Sequence, residues 1–350
     1  MSERIAIVGA GAVGAYVGGY FARAGEDVTL IDPWPEHVEA MRRDGLSLSG
    51  MTEGECFTTP VKAMHLTDVQ SLARTGPIDI AFVCTKSYDT DWATAMIRGY
   101  LAPDATVVSL QNCINEETIA RIVGWGRVVG CIAAKIAVEL TGPAQVRRGV
   151  PLGGNKHTVF RVGEVHGRIT PRIERIATML GRVDSAKTTS NLWGERWSKL
   201  CANAQANGVS AATGLGNNGM AREPVTRWLS IRLAGEAARI GRALGYELET
   251  INKFSADDWI AATDGDAAVR ERIEAEMIAA CEGRSETGRP SMGQDIAKGR
   301  RTEIEMLNGY IVERGKEIGL AAPANAGLTA AVQAVERGEA PPGLERVAGI

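Results

Sequence analysis

The chain has 350 residues, 45% of them apolar and 23% charged, enough to bury a sizeable core and too apolar for a disordered chain. Lys and Arg number 39 against 42 Asp and Glu, so the formal net charge is −3. That balance argues against nucleic acid or an anionic membrane surface as the main partner. Six cysteines (Cys56, Cys84, Cys113, Cys131, Cys201, Cys281) form no CxxC pair, and His37, His65, His157 and His166 are scattered, so no metal site is expected. Unpaired thiols in apolar runs point to a reducing, cytoplasmic setting. Residues 5–22 carry no charge, but five glycines interrupt them, which argues against a leader or a membrane span.

From the N-terminus, short β-branched runs at 5–8, 28–31, 78–84, 106–110 and 127–131 alternate with helical patterns such as 13–24. Such runs are buried parallel strands, and the alternation predicts an α/β Rossmann fold, a doubly wound parallel sheet. Residues 141–185 are punctuated by Gly and Pro, with strand-like runs at 158–162 and 181–184. From Ser190 the texture is helical: 192–212, 223–244, 256–262, 268–281, 292–318 and 323–335. The expected division is a dinucleotide-binding domain over 1–187, an all-helical substrate and dimerisation domain over 188–340, and a tail over 341–350. The apolar helical faces leave room for a homodimer.

Gly9-Ala10-Gly11-Ala12-Val13-Gly14 directly follows the first strand and opens a helix. The first glycine permits a tight turn, the second lets backbone approach a pyrophosphate, and the third lets helix and strand pack closely. Free N–H groups at the positive end of the helix dipole then meet the phosphates. Asp32, at the end of the second strand, can accept both ribose hydroxyls of NAD and would repel the 2′-phosphate of NADP. NAD is therefore favoured, with NADP the alternative and Arg42 and Arg43 the nearest rivals for a phosphate.

A hydride enzyme also needs a proton donor at the reacting oxygen. Lys199, Asn203 and Asn207 are spaced i, i+4, i+8 and form one polar stripe on a predicted helix, beside an apolar stripe of Trp193, Trp197, Leu200 and Ala204. Desolvation beside that face would lower the lysine pKa toward that of a useful acid; the bland alternative is a solvated lysine on an amphipathic helix. Ser291 and Gln294 fit a helix capping box. Glu303 borders the apolar stripe of Ile296, Ile304, Leu307 and Ile311, so it either faces a cleft or pairs with Arg300 at the surface. Glu305 should point elsewhere.

Four motifs in order resemble the ketopantoate reductase family: Gly9 to Gly14; Val83-Cys84-Thr85-Lys86-Ser87; Leu110-Gln111-Asn112; and Lys199-xxx-Asn203-xxx-Asn207. The late run from Ser291 through Glu303 to Asn308-Gly309-Tyr310, with Pro323-Ala324-Asn325 after it, is the most specific. The resemblance covers residue 5 to about 328. It implies that Lys199 is the general acid, that Glu303 bonds the substrate hydroxyl and sets the charge of the lysine, and that Asn203, Asn207 and Ser291 contact substrate. It places Asn112 near the nicotinamide and substrate, Lys86 near the cofactor, and the site between a Rossmann and a helical domain. Departures are Asp32 where NADPH users carry a basic residue, Cys113 where the family has Gly, an altered 131–140 stretch, and a long 251–290 segment.

The expected activity is therefore NAD(P)-dependent hydride transfer between a 2-oxo acid and a 2-hydroxy acid, 2-dehydropantoate first. One alternative is an NAD-dependent dehydrogenase oxidising a different hydroxy compound. Another is a regulatory protein that binds the dinucleotide and catalyses nothing; Lys199 and Glu303 together argue against it.

Overall fold

A computed structural model describes residues 3–282 and 288–350, so part of the long 251–290 segment lies outside the described residues. Two compact units divide the chain, Met1–Leu192 and Trp193–Ile350.

The first unit runs β1 (Arg4–Val8), α1 (Ala12–Arg23), β2 (Asp27–Asp32), α2 (Pro35–Asp44), β3 (Leu46–Ser49), β4 (Phe57–Thr59), β5 (Lys62–His65), β6 (Ile78–Val83), α3 (Thr90–Arg98), β7 (Leu101–Ser109), α4 (Glu116–Val123), β8 (Val128–Ala133), β9 (Val138–Gly142), β10 (Gln145–Arg148), β11 (Phe160–Glu164), α5 (Pro171–Leu180) and β12 (Ala186–Thr189). All five apolar runs become strands of one eight-stranded sheet, ordered β12-β11-β8-β7-β6-β1-β2-β5. The pairs β1–β2, β1–β6, β6–β7 and β7–β8 are parallel. Successive side chains of a strand face opposite ways, so Ile5 and Ile7 enter one core with Tyr16 and Val17, while Ala6 and Val8 enter another with Ile97 and Ile119. That is why these runs are apolar throughout rather than alternating.

The sheet is dominated by parallel pairs, as expected, and one strand at its edge lies a few residues later than the sequence pattern puts it. Residues 181–184 close α5 as a turn, with Gly181 N donating to the Ala177 carbonyl at 2.8 Å, and the edge strand is Ala186–Thr189. At that edge β11 runs antiparallel to β8, so the sheet is mixed. A second sheet, ordered β4-β3-β10-β9, is an addition to the expected fold. Its strands have three to five residues, and the Gly142-Pro143-Ala144 punctuation is its hairpin turn, with Ala144 at φ +53. The glycines of α1 explain how one helix serves both sheets. A Cβ on Gly18 would press on Ile7 and Leu30 at 3.1 Å, and one on Gly19 would meet Leu48 at 2.6 Å.

The second unit is helical: α6 (Leu192–Ala204, its first residue belonging to the first unit), α7 (Asn207–Thr213), α8 (Asn217–Arg222), α9 (Pro224–Ala243), α10 (Ala256–Thr263), α11 (Ala267–Ala279), α12 (Ser291–Ala297), α13 (Tyr310–Glu317) and α14 (Pro323–Glu336). Two of the long expected helices are broken. The 192–212 pattern divides at Gln205-Ala206, and the 292–318 pattern divides into α12, a π-helical turn over Glu305–Gly309, and α13. Trp197 is fully buried and donates its indole N–H to the Ala237 carbonyl at 2.8 Å, in space kept open by Gly241. Among residues 341–350, Val347 is buried and the Ile350 carbonyl accepts from Arg232. Among the described residues no helix is long and apolar enough to cross a membrane.

Candidate functional site

The glycine turn has the geometry a pyrophosphate needs. Gly9 sits at φ +93, where a Cβ would also lie 2.8 Å from Thr85 N. Gly9 N and Ala10 N both donate to the Ile31 carbonyl, at 2.9 and 3.2 Å, which ties the turn to β2. A Cβ added to Gly11 would meet no protein atom within 4 Å, so the backbone there is open. A Cβ on Gly14 would run into the Gly9 carbonyl oxygen and lie 3.1 Å from Ile7 Cγ2. The first helical bond is Ala15 N to Gly11 O at 2.8 Å, and no side chain caps α1, so the N–H groups of Ala12, Val13 and Gly14 have no partner within the helix. These atoms suit the phosphates of a dinucleotide.

Asp32 ends β2 and is 8% exposed, with Oδ1 accepting from Trp34 N at 3.0 Å. Burial pushes its carboxyl above the usual range, and N–H groups of Trp34 and Ala10 pull the other way. The rival arginines are engaged by acids: Arg42 bonds Glu39 at 2.8 Å and Asp68 at 2.7 Å, and Arg43 bonds Asp44 at 2.7 Å. His37, to which the sequence pattern assigns no role, braces the turn. Its ring is fully buried, with Nε2 on the Ala10 carbonyl at 2.9 Å and Nδ1 accepting from Ala144 N at 2.8 Å. An acceptor Nδ1 makes the ring neutral, and burial lowers its pKa.

Lys86 and Asn112 follow the carboxyl ends of β6 and β7, both half-buried, on the sheet edge where open α/β folds bind ligands. A buried network fixes these loops on each other. Gln111 Nε2 donates to the Thr85 carbonyl at 2.8 Å and to Thr90 Oγ1 at 2.9 Å, while Asn115 Nδ2 donates to the Asn112 carbonyl at 2.7 Å. Cys113, between them, holds φ +65. The conformation is one that glycine adopts without strain.

In the second unit, Lys199 and Asn203 are half-buried on α6, and Asn207 is 8% exposed at the start of α7. The i, i+4, i+8 stripe is therefore not carried by one continuous helix. Asn207 turns back, with Nδ2 donating to the Asn203 carbonyl at 3.1 Å and Oδ1 accepting from Ser291 Oγ at 3.0 Å. Ser291 thus does not cap: α12 begins after Pro290 with no side-chain cap, and its hydroxyl is committed to Asn207. Glu303 is 4% exposed, which rules out a surface pair with Arg300, whereas Glu305 is exposed and bonded to Arg301 at 2.9 Å. Gly208 packs under Ile304, since a Cβ there would lie 2.9 Å from Ile304 Cδ1. So the chain beside Asn207 touches the chain beside Glu303. Asn308 and Asn325 belong to the late motif but the sequence gives them no role, and Glu236 carries no signal at all; the three form a buried hydrogen-bonded chain, Asn308 Nδ2 to Asn325 Oδ1 at 2.9 Å and Asn325 Nδ2 to Glu236 Oε2 at 2.8 Å. Among the described residues no group of three His, Cys, Asp or Glu could hold a metal ion.

A Rossmann unit with an open glycine turn, followed by a helical unit bearing a lysine, two asparagines, a serine and a buried glutamate, defines a class of dinucleotide-dependent oxidoreductases. Residues 5–159 match the model of the ketopantoate reductase PanE/ApbA family, and residues 191–336 match that of its C-terminal part. The chain belongs to the ketopantoate reductase family, oxidoreductases acting on CH–OH groups, and a nicotinamide dinucleotide is the cofactor that goes with it. The 2-dehydropantoate 2-reductase of Archaeoglobus fulgidus is 30% identical over 349 residues, 96% of this chain and 99% of that protein. That of Pyrococcus horikoshii is 30% identical over 338 residues, 95% and 97% of the two chains. A solved PanE/ApbA family ketopantoate reductase from Ralstonia eutropha superposes with a TM-score of 0.77 at 30% identity, covering 96% of this chain and 99% of that one. D-mandelate dehydrogenase, solved with NADH and anilino(oxo)acetate, shares the fold at 22% identity, with a TM-score of 0.78 and coverage of 96% and 99%.

Proposed function

We propose that the protein reduces a 2-oxo acid to the 2-hydroxy acid with NADH, and that 2-dehydropantoate is the first substrate to test. The observation that carries the reading is the Asn207–Ser291 hydrogen bond at 3.0 Å, which joins the Lys199 row to the late motif that contains Glu303. NADH, when bound, supplies the hydride to the carbonyl carbon. Lys199 gives a proton to the carbonyl oxygen, so ketone, hydride and proton balance to an alcohol. Glu303, buried and acceptor-only when ionised, holds a substrate hydroxyl and favours the charged lysine. Asn203 and Asn207 hydrogen-bond the substrate, and Ser291 helps hold its carboxylate by turning its hydroxyl proton from Asn207 to the acid. Gly9, Gly11, Ala12, Val13 and Gly14 cradle the pyrophosphate, with Lys86 and Asn112 toward the reacting end of the cofactor.

NADH is preferred to NADPH because Asp32 would face the 2′-phosphate and Arg42 and Arg43 are bonded to acids. The same groups run the reverse reaction, so a dehydrogenase of another hydroxy acid is the second reading, favoured by Asp32. Steady-state oxidation of NADH and NADPH with 2-dehydropantoate and a panel of 2-oxo acids tests the reading. Lys199→Ala should cost more than about 10²-fold in kcat, the lower end for a lost general acid; wild-type turnover in that variant defeats the assignment. Asp32→Ser should shift the NADPH/NADH ratio of kcat/KM upward by about tenfold, one charge repulsion removed.

A further inference from the structure

We propose that Asn308 is a positioning residue for the site: its side-chain amide holds open the break between α6 and α7 that sets Asn203 and Asn207. The inference rests on the proposed function for its consequence and on the fold alone for its mechanism. In an unbroken helix the carbonyls of residues 203–205 would accept from the N–H groups four positions on. Here Asn203 O keeps a backbone donor only in a tighter turn, Ala206 N at 3.2 Å, and each of the three carbonyls takes a side chain. Asn203 O accepts Asn207 Nδ2 at 3.1 Å, Ala204 O accepts Asn308 Nδ2 at 3.2 Å, and Gln205 O accepts Ser230 Oγ at 2.7 Å. Helical bonding resumes at Ser210 N to Ala206 O, 3.0 Å. Three successive carbonyls all met by side-chain donors, two of them from distant parts of the chain, describe a built joint rather than a frayed helix.

The amide of Asn308 is itself fixed. Its nitrogen also donates to Asn325 Oδ1 at 2.9 Å, and Asn325 Nδ2 donates to Glu236 Oε2 at 2.8 Å. Glu236 accepts as well from Ala324 N at 2.9 Å and Asn325 N at 3.1 Å, among the first N–H groups of α14. Asn308 and Asn325 are completely buried and Glu236 is 8% exposed. Asn308 lies in the π-helical turn, where Gly309 N reaches back five residues to Ile304 O at 3.0 Å. The extra residue in that turn changes the direction of Asn308 relative to a regular helix, and π turns recur at functional sites. The joint is what lets Asn207 bond the Asn203 backbone with one end of its amide and Ser291 with the other.

The test is Asn308→Asp, which keeps the shape and removes both amide hydrogens. The expected result is a rise of about tenfold in KM for the 2-oxo acid with KM for NADH unchanged, a misplaced substrate contact rather than a lost fold. The defect should shrink toward pH 5, where a buried carboxyl regains a proton and one donor. Backbone amides of residues 206–210 should exchange with solvent about tenfold faster than in wild type. A loss confined to kcat in proportion to unfolded protein, with both KM values and the pH profile unchanged, overturns the proposal. Should wild type reduce no 2-oxo acid, the functional reading fails, and exchange at 206–210 still decides the joint: unchanged rates overturn it. Ser230→Ala, which removes the donor to Gln205 O alone, gives the same KM pattern at smaller size if Asn308→Asp does not fold.

Discussion

In the Met1–Leu192 unit the candidate phosphate-binding atoms are backbone N–H groups at the head of α1, set by a turn that requires glycine. In the Trp193–Ile350 unit they are side chains, and other side chains set them, through Asn207, Ser291, Asn308 and Asn325. A backbone site is written in spacing, because three glycines at fixed intervals are its whole specification. A side-chain site is written in partners that lie up to 104 positions away, as Asn308 does from Ala204. Each unit is accordingly vulnerable in its own way: the first to an added Cβ, the second to a lost donor.

The glycine turn is where that contrast is most exposed to failure. Gly14→Ala sets a Cβ against the carbonyl oxygen of Gly9, a backbone atom that cannot swing aside. It should cost about 3 kcal/mol, the upper part of the overpacking range, and lower Tm by roughly 6–12 °C in a unit of this size. Gly11→Ala meets no protein atom. It should leave Tm unchanged and weaken NADH binding by about tenfold or more, since the methyl group occupies space a phosphate needs. Thermal melts and cofactor titrations of both variants check this. Equal Tm losses would mean that Gly11 is a packing glycine and that the turn is not a cradle.

The same contrast explains what could be read from the chain. The five central strands, the glycine turn and the order of the motifs were legible because β-branched runs and i, i+4 spacing are local properties. The second sheet was not. Its strands of three to five residues are too short to show a period, and what stabilises them is α1, whose Gly19 makes room for Leu48. The breaks at 205–206 and 305–309 were hidden for a related reason. Their apolar positions keep helical spacing across the break, and the donors that satisfy the freed carbonyls come from α9 and the π turn. Ser291 looked like a cap because Gln294 stands three residues on; its actual partner is Asn207. His37 could have been flagged only by knowing that the 141–144 turn returns to it.

That histidine, where a side chain braces the backbone site, should give a weaker signal than the glycines. In the unfolded chain the ring takes a proton near pH 6.5, while burial lowers the pKa in the folded protein. Between the folded value and 6.5 the unfolded state therefore binds more protons, and stability is lost as pH falls through that window. Asp32 opposes this lower down, because its raised pKa lets the folded carboxyl keep a proton that the unfolded one releases above its usual 3.8. Wild type should lose about 1 kcal/mol more than His37→Gln between about pH 7.5 and 5.5, less than one pKa unit of linkage per pH unit. Denaturant melts at the two pH values measure it. Equal losses would show that Ala144 N does not donate to this ring, since only a neutral ring can accept there.

Cys113, where a side chain occupies backbone suited to glycine, should respond least of all and draws the finest line between the two kinds of site. A left-handed residue with a Cβ costs about 1–2 kcal/mol, and Cys113 sits at φ +65 with 6% exposure. Cys113→Gly removes that strain but adds about 0.5–1 kcal/mol of backbone entropy to the unfolded chain and gives up the packing of a buried thiol. These terms nearly cancel, so the variant should melt within a few degrees of wild type. Cys113→Ala gives up the thiol but keeps its Cβ, and with it the strain. The glycine variant should therefore be the more stable of the two, the reverse of the order in a helix or strand interior. If alanine is the more stable, the loop between Asn112 and Asn115 relaxes out of the left-handed region, and the network from Gln111 and Asn115 does not hold it there.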